Sequence, residues 1–173
     1  MTEKQQIEKA TAQTFLDLYN SQNVTKFEIH ELADTPDVIC RDQTTGEELK
    51  LEITLLEDLL GEVRYKLGRG NQPNSPTTGS PVRSFYDDVV PQLQRALEKK
   101  LMSSYGSRTA LVIQQVSPLW GPTDWKTVVD RIRNDTVHGR EGQFGAGIWI
   151  ICTDSSTLPA SNALFCISGG ASA

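Results

Sequence analysis

Cysteine is scarce in this chain. Cys40, Cys152 and Cys166 are odd in number, share no CxxC spacing and lie in apolar, β-like stretches, which argues against both a disulfide framework and a zinc knuckle. They read as reduced core residues. Long hydrophobic runs are missing as well: nothing approaches the roughly 18 residues a spanning helix needs, and the start, MTEKQQIEKA, is polar where a signal peptide would be apolar. A cytoplasmic chain with no membrane partner is the expectation. Positive charge is in the minority, with 17 Lys and Arg against 22 Asp and Glu and a net charge of −5. A whole-surface attraction to nucleic acid is therefore excluded, and any polyanion site must be a local basic patch. The text also holds no GxxxxGK[ST] P-loop, no GxGxxG after a strand, no GxSxG elbow and no HExxH, which narrows the enzyme classes. What is present, 38% apolar and 23% charged residues in 173, is the composition of a folded chain of one-domain size, and residues 1–173 are taken as a single domain.

Periodicity orders the elements. Residues 2–19 predict a helix, opened by Thr2 with Gln5 at the capping-box spacing and carrying Ala12, Phe15, Leu16 and Tyr19 on one stripe, with Glu8 on the same stripe. Three β-like runs follow, Lys26 to Leu32, Pro36 to Arg41 and Glu48 to Leu55, the last alternating Leu49, Leu51, Ile53 and Leu55 against Lys50, Glu52 and Thr54. The stretch Asp42-Gln43-Thr44-Thr45-Gly46 makes the second and third a hairpin. From Gly61 to Ser84 the pattern dissolves into Gly, Pro, Ser and Thr, and residues 67–82 are expected to form a flexible loop. A second helix, about Tyr86 to Ser104, leads into a continuous apolar strand, Ala110 to Val116. A third helix starts near Thr123, and two closing strands cover Ile148 to Cys152 and Ala163 to Ile167. The order α-β-β-β-α-β followed by α-β-β implies an α/β fold, a mixed sheet flanked by helices.

The hairpin carries the chemistry. Centring its turn between Thr44 and Thr45 places Asp37 opposite Glu52 on one face, with Lys50 and Thr54 sharing that face. Two carboxylates about 4 Å apart repel by roughly 4 kcal/mol at an effective dielectric near 20. A shared proton, a nearby cation or a divalent metal must compensate, and an oxygen-rich site of this kind suits Mg²⁺ or Mn²⁺.

Pro36-Asp37, followed fifteen residues later by Glu52-Ile53-Thr54 at the end of an alternating strand, resembles the PD-(D/E)XK nuclease superfamily. That family's restriction-endonuclease-like core has the order α-β-β-β-α-β, so the resemblance covers about two thirds of the chain, Glu3 to Val116. It implies a metal-dependent nuclease of DNA or RNA, with Asp37 and Glu52 binding Mg²⁺ or Mn²⁺ and Glu8 as a supporting acid. Thr54 stands where the family has a Lys that positions or activates water. The alternative is an inactive restriction-endonuclease-like module that binds nucleic acid or a protein partner.

A lysine could reach the site from elsewhere. Lys100, three residues after Leu97 and seven after Leu93, projects from the apolar face of the second helix, whereas Lys99 is turned about 100° away. Some relatives in the superfamily resemble this arrangement, with the replacement lysine on the second core helix. Lys50 is the other candidate. Phosphate contacts are expected from Arg64, Lys66, Arg69 and Arg83, which give the loop region a local positive excess over Glu62. Tyr65 and Phe85 could stack on bases there. A homodimer is left open, and His30 and His138 are given no role.

Overall fold

The computed structural model describes residues 1–57, 89–116, 120–154 and 159–168. Helix α1 (Glu3–Asn23) starts at the expected box: Thr2 Oγ1 accepts from the Gln5 N–H, and the Gln5 side chain accepts from the Thr2 N–H. It runs past Tyr19 because its end is tied to the next element. The Asn20 amide accepts from the Phe27 N–H and donates to the Phe27 carbonyl, at 3.0 and 2.9 Å. Strands β1 (Phe27–Leu32), β2 (Val38–Asp42) and β3 (Glu48–Leu56) follow, then α2 (Val90–Leu101), β4 (Thr109–Gln115), α3 (Pro122–Ile132), β5 (Ile148–Asp154) and β6 (Ser161–Ser168). A π-turn, Arg133–Val137, extends α3. Helix α2 ends three residues before the expected Ser104, at Leu101, the last residue of its apolar stripe.

The strands form one mixed sheet in the order β1-β2-β3-β4-β5-β6, parallel across β3, β4 and β5 and antiparallel outside them. The fold is α/β, an open mixed sheet flanked by helices. The parallel pairs demand crossovers, which α2 and α3 supply. Both crossovers step across the sheet in the same direction, and a common hand puts both helices on the same face. Leu93, Leu97, Leu101, Trp125, Val128 and Ile132 pack there against Leu111, Ile113, Ile148 and Ile150. On the opposite face Ala12, Phe15 and Leu16 of α1 cover Val38, Cys40, Leu49, Leu51, Ile53, Ala110 and Val112. Strand β4 supplies residues to both clusters, which is why Ala110 to Ile113 read as an unbroken apolar run.

Cys40 and Cys152 are buried, Cys166 is half-buried, and none of the three is in a disulfide. Burial pushes the Cys40 thiol up to about 12, so it is inert. Trp125 donates its indole N–H to Gln115 Oε1 at 2.6 Å inside the core, and Trp120 packs at the cluster's margin. Among the described residues no helix is long and apolar enough to cross a membrane. The loop expected at 67–82 lies outside the described residues.

Candidate functional site

The hairpin register decides which side chains meet. Strand β2 pairs with β3 through Val38↔Leu51, Ile39↔Lys50, Cys40↔Leu49 and Arg41↔Glu48, the register that a turn centred between Thr44 and Thr45 gives. Asp42 secures that turn. Its carboxylate accepts from the N–H groups of Lys26, Thr44 and Thr45 at 2.8 Å each. Gly46, with φ +73°, closes the turn by donating to the Asp42 carbonyl at 2.9 Å.

The expected Asp37–Glu52 pair, one step beyond Val38↔Leu51, is not made. Ladder pairing stops at Val38, and the backbone N–H of Ile53 is satisfied by a side chain instead: Asp37 Oδ2 accepts it at 2.8 Å. The other oxygen, Oδ1, faces α1, where Lys4 Nζ lies 3.5 Å away. Lys4 also reaches Glu8 Oε1, at 3.0 Å, one helical turn on. Both Glu8 and Asp37 are buried, at 6% and 5% exposure, whereas the Lys4 side chain is 69% exposed. Burial raises the Glu8 carboxyl above its ordinary pKa; the Lys4 hydrogen bond opposes this, and the Asp37 charge adds to it. The Lys4 ammonium is raised in turn, chiefly by its bond to Glu8.

Glu52 faces the α2 side of the sheet. Alternation along β3 sends Leu51 and Ile53 toward α1, so Glu52 and Thr54 stand beside their β4 partners Leu111 and Ile113. Lys100, in the last turn of α2, places Nζ 2.5 Å from Glu52 Oε1. Glu52 is only 7% exposed, and its Oε2 is buried with no hydrogen-bond partner. Thr54 Oγ1, two residues along the same face, is likewise buried and unpartnered. A buried polar atom left unsatisfied costs about 1–3 kcal/mol, more when it carries charge, unless a water or an ion supplies its partner.

Several sequence expectations change here. Glu8, Asp37 and Glu52 do not form one ready metal shell: Glu8 and Asp37 gather around Lys4, while Glu52 is held by Lys100. Among the described residues no three His, Cys, Asp or Glu side chains form a group that could hold a metal ion. Lys50 is not directed at Glu52; its Nζ lies 3.4 Å from Glu48 Oε1 on the surface. Arg64, Lys66, Arg69 and Arg83 lie outside the described residues. Lys4 is the residue that sequence reasoning passed over, although its signal was present as the spacing of four from Glu8.

Chemically, the site offers hard oxygen donors from Asp37, Glu52 and Glu8, a buried hydroxyl at Thr54, and the ammonium groups of Lys4 and Lys100. Taken as donors one by one, carboxylate oxygens suit Mg²⁺ or Mn²⁺ better than a softer metal. No protein-family model, curated protein or solved structure matches the chain.

Proposed function

We propose that the chain is a metal-dependent nuclease that hydrolyses phosphodiester bonds in DNA or RNA on a restriction-endonuclease-like core. The observation that carries this reading is Glu52: a buried carboxylate with one oxygen on a lysine and the other without a partner. The order α1-β1-β2-β3-α2-β4, with α1 and α2 on opposite faces, supports the architecture. Asp37 and Glu52 would hold Mg²⁺ or Mn²⁺, with Glu8 as the supporting acid. The ion, when bound, supplies Lewis acidity to the phosphate and lowers the pKa of attacking water. The Ile53 N–H, which donates to Asp37 Oδ2, would help orient that carboxylate for this. Lys100 supplies the cation that the Thr54 position lacks and would stabilise charge developing on the phosphate. Arg64, Lys66, Arg69 and Arg83 would hold the strand.

A second reading, an inactive module of the same fold that binds nucleic acid or a protein, is favoured by one observation. Both Asp37 and Glu52 already have an ammonium group beside them, and Thr54 carries no charge to activate water. Cleavage of labelled single- and double-stranded DNA and RNA with Mg²⁺ and Mn²⁺ separates the two. The nuclease should lose all cleavage in Asp37→Ala and Glu52→Ala. Lys100→Ala should be slower by a factor on the order of 100, as when one preorganised donor is removed. Thr54→Lys in that background should restore part of the rate. Cleavage equal in wild type and Asp37→Ala, or none of any substrate, leaves the binding module.

A further inference from the structure

An open groove of about 520 Å³ runs between exposed Lys9 and Gln13 of α1 and the outer edge of β1, where Glu28, Ile29, Glu31 and Leu32 line it. We propose that this edge is a docking site for an extended segment of a partner protein, in which basic and apolar side chains alternate, added to the six-stranded sheet as a further strand. The proposal goes beyond the nuclease reading and uses none of its residues.

Among the described residues β1 stands first in the sheet and pairs with β2 alone. In an antiparallel ladder the backbone groups facing away from the partner recur at every second residue. At Phe27 they are already taken, for the Asn20 side chain accepts from its N–H and donates to its carbonyl, as a neighbouring strand would. Ile29 is therefore the next residue whose N–H and C=O face away from β2. A bulge between Ile29 and Glu31 then shifts the alternation. Ile29 and Leu32, opposite Cys40 and Val38, both face α1, while Glu28 and Glu31, opposite Arg41 and Ile39, share the other face. A strand laid along this edge would meet apolar and acidic side chains in turn. Charge selects the occupant. Glu28 and Glu31 are exposed, Gln43 holds the Glu28 carboxylate without neutralising it, and Lys9 is the one ammonium group in the lining. A second copy of the chain would set the Glu28 and Glu31 carboxylates of both chains on one face of a single ladder, where like charges weaken the pair. A bulge and charged side chains are the means by which edges avoid self-association. An unlike strand carrying basic residues fits the same edge, with main-chain hydrogen bonds supplying affinity and the alternating side chains selectivity.

Amide hydrogen exchange on the full chain, read by NMR, tests the edge directly. In the free chain the Ile29 amide should exchange at least about tenfold faster than that of Cys40, its neighbour on β2. The probe is a blocked octapeptide in which lysine and valine alternate. At saturation it should slow Ile29 exchange by about tenfold or more, and the same peptide with glutamate for lysine should not. Glu28→Gln combined with Glu31→Gln, both at exposed positions, should weaken binding of the lysine peptide roughly fivefold, since two exposed ion pairs are lost. An Ile29 amide as slow as that of Cys40 in the free chain would mean that the edge is already covered, and overturns the proposal. So does a lysine peptide that fails to bind, one that binds without protecting Ile29, equal protection by the glutamate peptide, or equal affinity for the double variant. None of these outcomes bears on cleavage, so the nuclease reading stands or falls separately.

Discussion

Single residues show where local physics is obeyed and where it is strained. Val24 ends α1 with φ +56° and ψ +38°, a left-handed conformation that a β-branched side chain adopts at a cost of about 1–2 kcal/mol, and it is 93% exposed. Nothing packs on it to offset that cost. Val24→Gly should therefore stabilise the protein by about 1 kcal/mol and raise Tm by roughly 2–4 °C, net of glycine's greater unfolded-state entropy. An unchanged or lower midpoint in thermal denaturation would count against it. Asp42 works the other way. The Lys26 N–H first, then those of Thr45 and Thr44, hold its carboxyl below the usual range. A depressed folded pKa means the stabilisation is present above the unfolded value near 3.9 and is lost as pH falls through the lower folded one. Asp42→Asn should thus be clearly less stable than wild type at pH 7, with the gap closing below about pH 4. Urea unfolding at both pH values checks this, and a gap independent of pH would assign the effect to something other than the charge.

Elements were legible in the sequence where one local rule sufficed. The capping box at Thr2 and Gln5, the alternation from Glu48 to Leu55 and the apolar run Ala110 to Ile113 of β4 each state their structure in adjacent residues. The hairpin register was legible too, since it follows from turn length alone. The pairing of Lys4 with Asp37 was not: it depends on the first turn of α1 lying beside the start of β2, a contact between residues 33 apart in the chain. The turn to β3 through the Ile53 N–H was hidden for a similar reason, because it exists only where β2 pairing stops. Lys50 misled because its position on the face of Glu52 was right, while a closer acid, Glu48, holds its ammonium. The connection before β5 illustrates a further non-local constraint. A Cβ on Gly145 would lie 2.2 Å from the Ser107 carbonyl oxygen, a rigid backbone atom at the entry to β4. Gly145→Ala should destabilise by on the order of 2 kcal/mol, because backbone must move to admit the methyl. Chemical denaturation of the variant measures it, and a loss below a few tenths of a kcal/mol would mean the two segments separate freely.

At the scale of the whole molecule, the sheet joins two unlike halves at the site. Strand β3 is antiparallel to β2 on one side and parallel to β4 on the other, so the turn-borne Asp37 and the crossover helix carrying Lys100 arrive at neighbouring residues of one strand. Three buried carboxylates there burden the folded state, which two lysines partly relieve. On the nuclease reading, a divalent ion that binds only the folded chain should stabilise it, and linkage gives the amount: about 2.7 kcal/mol at a free concentration of 100 times Kd. For a chain of this size that is a rise in Tm on the order of 5–10 °C. Mg²⁺ and Mn²⁺ should produce it in wild type, and a monovalent salt at equal ionic strength should not. Glu52→Gln, which keeps the shape and removes the charge, should abolish the rise while itself losing the ion pair to Lys100. Equal shifts in wild type and Glu52→Gln would place the ion elsewhere on the molecule, and the carboxylates would then be a structural polar cluster.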